Sequence, residues 1–159
     1  LCTAARQRGV PVIHAMAINR NDYRGSVANC RMLSASKDMH ERGSGIIEGT
    51  KGAELVGVFG PEPEDISIAR LHGLTPFTST SLDQTIRNLG ASTIIPIGVS
   101  INIGILGLVL SAVDLGYQVV IPTDAVAGVP LEYGEKVLQG TLSLLSTLTT
   151  TQEIISTWE

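Results

Sequence analysis

Charge, aromatics and cysteine are all scarce in this chain of 159 residues. Charged residues make up 16% of it and aromatic residues 4%. The formal net charge is −4, and no basic block interrupts the sequence. A nucleic-acid binder needs Lys and Arg gathered against phosphate, so that class is excluded as a partner. With 2 Phe, 3 Tyr and 1 Trp there is no stacking platform for bases or sugar rings. Cys2 and Cys30 are too few for a disulfide scaffold and are read as free thiols of a reducing, cytoplasmic compartment. His14, His40 and His72 show no metal-binding spacing, so neither a metal nor another cofactor is expected. No Asn-x-Ser/Thr site occurs. The first residue is Leu, and no basic segment leads into an apolar one, so the chain is expected to begin inside a longer or processed polypeptide.

What is present is apolar. Residues of that class reach 43%, enough for one ordinary domain with a core and too many for disorder. From Asn88 to Val113 there is no charge at all. That run is long enough to cross a bilayer, but Gly90, Pro96, Gly98, Gly104 and Gly107 punctuate it. It also changes from β-branched Thr93-Ile94-Ile95 to a Leu-rich half. A buried strand, a turn and a buried helix account for it better than a membrane span.

The pattern along the chain alternates. Residues 1–8 read as a helix end stopped by Gly9. Pro11 to Ala15 reads as a strand. Asn19 to Lys51 is an irregular polar stretch with a short helix near Cys30 to Met39. Extended segments are expected at Glu54–Phe59 and Ile66–Ala69, and a helix over Thr80–Leu89 capped by Thr80 or Ser81. A strand over Ser92–Ile97 follows, then a helix over Asn102–Leu115 that is apolar nearly all round and expected to be buried on every side. A strand at Tyr117–Pro122, a helix over Leu131–Leu145 and a short element at Thr149–Trp158 complete the order. Strands alternating with helices predict an α/β fold: three layers, α/β/α, around a mostly parallel, doubly wound, Rossmann-like sheet. Ligands of such sheets sit at the carboxyl ends of the strands. The candidate segments are therefore His14–Asn19, Arg70–Phe77, Gly98–Gly104 and Thr123–Gly128.

The stretch Gly90–Gly128 resembles the isochorismatase-like cysteine hydrolases. The matching residues are Gly98, Val99, Ser100, Asn102, Gly116, Tyr117, Val119, Asp124 and Ala125. Ala4–Ile13 and Phe77–Leu89 extend the likeness over nearly the whole chain. The resemblance implies one isochorismatase-like domain over residues 1–159, lacking its first strand and the start of its first helix. It also implies a non-proline cis peptide between Val99 and Ser100, in a turn that binds an oxyanion. The family attacks a carbonyl or imine carbon with a cysteine at a helix N-terminus, aided by an Asp and a Lys. Gly104 stands at the position of that cysteine. The lysine position falls within Arg70 to His72, where Arg70 is the candidate replacement. The strand carrying the Asp would precede Leu1.

Two readings follow. In the first, the chain is a hydrolase of a small carbonyl, amide or vinyl-ether substrate without a cysteine nucleophile. Its pocket is then framed by His14, Arg70, His72, Phe77, Val99, Ser100, Asn102 and Gly104. In the second, it is a non-catalytic small-molecule-binding or scaffold homologue. Other residues have plainer roles. Ser100 lacks the second glycine of a nucleophile elbow, and Ser100 and Asn102 are expected to cap the following helix. Asp124 is expected to cap the next turn, Cys30 to be an ordinary free thiol, and His40 to be exposed. Gly43-Ser44-Gly45 lacks the context of a phosphate loop. Gly104 and Gly107 would allow close packing of their helix on the sheet or a twin subunit, and a homo-oligomer is expected.

Overall fold

A computed structural model describes residues 1–158. These residues divide into two compact units, Val12–Gly73 and Leu1–Pro11 with Leu74 onward.

The Val12–Gly73 unit is built on two parallel strands, β1 (Ile13–Ala17) and β2 (Ile66–Arg70), with Ile13 opposite Ile66 and Ala17 opposite Arg70. The strand expected over Pro11–Ala15 is thus shifted toward the carboxyl end. Pro11 lacks the N–H a ladder needs, so pairing starts beyond it. Between the strands lies α2 (Arg31–Glu41), which buries none of its residues. Asn19 donates its N–H to the Ile46 carbonyl and accepts from Glu48, so the long connection returns to the end of β1. The extended segment expected at Glu54–Phe59 is instead a 3-10 turn at Gly57–Phe59. Gly57 and the Gly60-Pro61 pair favour a turn over a ladder there.

The second unit opens with α1 (Cys2–Gln7). Gly9, at φ +68°, ends it in the left-handed region that a side chain disfavours. Helix α3 (Leu82–Asn88) buries Leu82 and Ile86. Its first turn is held by the Thr80 hydroxyl, which accepts from the Leu82 N–H at 3.2 Å. The strand expected over Ser92–Ile97 is only β3 (Thr93–Ile94), because Pro96 interrupts the ladder; a further short strand, β4 (Gly98–Val99), follows it. After β4 comes a π-helical turn, Ile101–Ile105, that leads into α4 (Leu106–Asp114).

The order closes with β5 (Gln118–Pro122), β6 (Val126–Ala127), α5 (Leu131–Gly140), β7 (Thr147–Thr149) and α6 (Thr151–Thr157). Strand β5 lies between β3 and β7, and β4 pairs with β6; every pairing is parallel. Val109, Ile121 and Leu142 have no exposed surface and form the centre of this unit's core. Burial of such side chains stabilises by about 1.5–3 kcal/mol each.

Helix α4 is not covered on every side. Val109 and Ala112 are fully buried, whereas Leu110 is 47% and Val113 40% exposed. An apolar composition all round does not show which side a sheet covers. Gly107 meets Thr75, whose Cβ lies 3.5 Å from where a Gly107 Cβ would stand. The Ser111 hydroxyl lies 3.0 Å from the Thr75 hydroxyl. The small residue therefore admits a loop of the same unit. No helix is long and apolar enough to cross a membrane among the described residues.

Candidate functional site

The carboxyl ends of β1 and β2 frame a cleft within the Val12–Gly73 unit. About 310 Å³ of empty space, part of it open to solvent, lies between Ala17–Asn19, Arg70–Gly73, Tyr23, Ser26, Val27, Leu33, Ser36 and Ile46. Arg70 ends β2 and is half-buried. Its Nε donates to the Gly73 carbonyl at 3.2 Å. Burial lowers its pKa from the ordinary arginine value, though a guanidinium keeps its charge at neutral pH. His72 Nδ1 accepts the Val27 N–H at 3.3 Å. The neutral ring therefore carries its proton on Nε2. Asn19 is buried and donates to the Ser26 hydroxyl at 3.1 Å, and Ser26 in turn donates to the Leu71 carbonyl.

His14 has a different role from the one its sequence position suggested. It is the second residue of β1 rather than the residue after it, and it is absent from the cleft lining. Its Nε2 lies 2.8 Å from Asp65 Oδ2, and the two side chains are 8% and 1% exposed. Asp65 Oδ2 also accepts the Glu62 N–H at 3.0 Å. The pair sits at the amino ends of β1 and β2, where it satisfies a buried carboxylate. His40 is half-buried rather than exposed. Its Nε2 lies 2.8 Å from the Arg20 carbonyl, and its ring meets Tyr23 edge-on at 4.9 Å.

In the second unit the turn after β4 holds Val99, Ser100, Asn102 and Gly104. The Val99–Ser100 peptide is cis. Neither Ser100 nor Asn102 caps the helix through its side chain. The Ser100 carbonyl takes the N–H groups of Ile103 and Ile105 instead. Asn102 Nδ2 donates to the Val129 carbonyl at 3.4 Å, while its buried Oδ1 has no partner. Gly104 is half-buried, and a Cβ there would meet only the Val99 carbonyl oxygen, at 3.9 Å.

Beside this turn lies a cleft with about 400 Å³ of empty space, including open solvent, lined by Ile101, Thr123, Val126–Gly128, Leu131, Gly134, Glu135 and Leu138. Phe77 lines neither cleft. It stacks on Tyr117 with ring centroids 5.9 Å apart, and Arg87 lies 5.1 Å from the Tyr117 centroid. Asp124 accepts from the N–H and hydroxyl of Thr151 at 2.8 and 3.0 Å. It therefore caps α6 rather than a turn of its own. No group of three or more His, Cys, Asp or Glu residues that could hold a metal ion occurs among the described residues.

Arg70 and His72 thus share one cleft, and the Val99–Gly104 residues share one turn. Sequence reasoning placed Asn19 at the end of a candidate segment but did not single out Tyr23, Ser26, Leu33 or Ile46. They reach the cleft only because the long connection folds back through the Asn19–Ile47 bridge.

Parallel strands joined by helices match a known family. The isochorismatase domain model matches residues 1–153, and the chain belongs to this family. An isochorismatase family protein from Desulfovibrio vulgaris is similar in structure, with TM-score 0.85 and 22% identity over 98% of this chain and 78% of that one. A cysteine hydrolase from Pseudomonas syringae gives 0.81 and 21%, over 98% and 75%. A pyrazinamidase of Pyrococcus horikoshii, solved in complex with zinc, gives 0.75 and 19%, over 94% and 80%. These likenesses show that the chain has the α/β fold of the isochorismatase-like hydrolases. No curated protein matches it.

Proposed function

We propose that the protein is a hydrolase of a small carbonyl, amide or vinyl-ether substrate in which no cysteine attacks. One observation carries this reading. Gly104, at the position where the family resemblance puts the attacking cysteine, offers no heteroatom side chain. It lies on an intact turn after β4. Cys2 opens α1 and Cys30 precedes α2, so neither belongs to that turn. Without a thiol, water is the attacking group. On a vinyl ether, a proton adds to the terminal alkene carbon and water adds to the carbon bearing oxygen. The resulting hemiketal then collapses to a ketone and an alcohol. The same reading takes residues 1–159 as one domain, in the cytoplasm and acting as a homo-oligomer. The exposed Leu110 and Val113 on α4 support the last point.

A second reading, a binding homologue without catalysis, is favoured by the lysines. Lys37 pairs with Glu41 and Lys136 with Glu132, each within its own helix. Lys51 lies in a 3-10 turn. None stands in the Arg70–His72 segment.

The test is turnover of small amides, ureides and isochorismate by the full chain and by a Cys2→Ser/Cys30→Ser variant. Equal rates, insensitive to iodoacetamide, are expected. A rate abolished by either treatment refutes attack without cysteine. Ligand binding with no turnover of any compound selects the second reading.

A further inference from the structure

Two side chains near the strand ends of the Val12–Gly73 unit have their hydrogen-bonding roles set by main-chain groups that cannot change theirs. The Ser26 hydroxyl donates its single proton to the Leu71 carbonyl. Its oxygen is left to accept, and it accepts from Asn19 Nδ2 at 3.1 Å. Turning the Asn19 amide over would set two acceptors against each other, so Oδ1 is the atom left without a bond. The Val27 N–H can only donate, and His72 Nδ1 accepts it at 3.3 Å. The proton of the neutral His72 ring therefore sits on Nε2.

We propose that the cleft lined by Asn19 and His72 binds the uncharged C(=O)–NH edge of a small carboxamide, lactam or urea. The ligand N–H donates to Asn19 Oδ1, and the ligand carbonyl accepts from His72 Nε2–H. The site lies wholly within this unit, and the binding does not rest on the hydrolase reading.

Three features support the assignment. First, Asn19 is only 8% exposed, and its Oδ1 forms no hydrogen bond among the described residues. That oxygen is not sealed off, as the unpaired Asn102 Oδ1 is. Its access is the cleft that Asn19 lines. A nearly buried acceptor without a donor is costly, and a ligand N–H answers it. Second, the two groups are tied to neighbouring residues. Asn19 is held by Ser26 and His72 by Val27, the next residue, while Ser26 also holds Leu71, the residue before His72. Gly25, at φ +87°, brings that turn against Leu71, whose Cδ1 lies 3.0 Å from where a Gly25 Cβ would stand. Third, recognition falls to neutral groups. No Asp or Glu lines the cleft, and Arg70 is already engaged by the Gly73 carbonyl. A carboxylate brings no donor to Asn19 Oδ1, and an ammonium brings no acceptor to His72. Val27, Leu33 and Ile46 supply an apolar wall for the body of the ligand.

The experiment is a chemical-shift titration of the isotope-labelled full chain with 2-pyrrolidinone, cyclopentanone and butyrate. Cyclopentanone keeps the ring and the carbonyl but lacks the N–H. The lactam is expected to bind tenfold or more tightly than either other probe, with the largest shifts at Asn19, Ser26, Val27 and His72. His72→Phe is expected to cost fivefold or more in lactam affinity. Ser26→Ala frees the Asn19 amide to turn over and is expected to cut the lactam-to-ketone preference threefold or more. The inference is overturned if the lactam does not bind, if lactam and ketone bind alike, or if butyrate binds more tightly than the lactam. It is also overturned if the shifts fall on other residues, or if both variants, with unchanged circular dichroism, keep the parent affinity and preference. Should either variant fail to fold, the probe ratios of the parent protein and the position of its shifts decide.

Discussion

Two glycines near one turn make opposite demands on a side chain. A Cβ at Gly104 has ordinary space, with its nearest neighbour 3.9 Å away. A Cβ at Gly128 would lie 2.8 Å from Gly134 Cα and 2.8 Å from Ile101 Cγ2. Backbone cannot yield as a flexible side chain does, so the second site is overpacked by a single methyl. Gly104→Ala is therefore expected to be neutral or to stabilise by up to about 1 kcal/mol, through lower entropy of the unfolded chain. Gly128→Ala is expected to destabilise by about 1–3 kcal/mol. Urea denaturation of the two variants checks the contrast, and equal midpoints would refute it. Gly104 could be singled out in the sequence by its place in a motif. The need for glycine at 128 could not, because its contact with Gly134 depends on how β6 and α5 pack. His14 teaches the same lesson. Its residue type suggested a ligand contact, but its partner Asp65 is distant in sequence and was visible only once β1 and β2 paired in register.

Among the elements, α6 depends most plainly on its cap. It has seven residues and buries only Ile154, so its own propensity cannot hold it. Three groups secure its first turn. The Thr150 hydroxyl accepts from the Glu153 N–H, Glu153 accepts from the Thr150 N–H at 2.9 Å, and Asp124 accepts from Thr151. The capping box is readable from Thr150 and Glu153 alone. The Asp124 contribution is not, since β5 must first carry it to the start of α6. Thr150→Ala is expected to cost about 1 kcal/mol. Its effect should fall on α6, with faster amide exchange at Ile154–Thr157 and unchanged exchange in β5. Uniform acceleration across the chain would contradict a local cap. The missed elements share one cause. The β-branched run over Ser92–Ile97 reads as one continuous strand until the ladder shows that β3 stops before Pro96, and the two residues of β4 are too few to show a period. β7 was missed because three residues are too few to show a period.

Across the whole molecule, acid is the informative variable. The Thr151 N–H lowers the Asp124 pKa. The Thr149 hydroxyl, then the Thr150 N–H and hydroxyl, lower that of Glu153. Tyr117 and Arg87 hydrogen bonds do the same for Asp83. A depressed folded-state pKa stabilises the fold above the unfolded carboxylate value of about 4. That stability is lost as pH falls through the folded values. The melting temperature is thus expected to change little from pH 7 to pH 5 and to drop below about pH 4. Asp124→Asn should melt lower at pH 7 and show a shallower fall in acid. A parent protein whose melting temperature rises on acidification would overturn the account. The class of fold, the order of most elements and the family are legible along the chain, because these follow from short-range periodicity and from residues adjacent in a motif. Tertiary structure alone decided that Arg70 and His72 share a cleft without carboxylates, and that His14 serves Asp65. Side chains far apart in sequence acquire a common environment only when parallel strands fix their register and a long connection folds back over the strand ends.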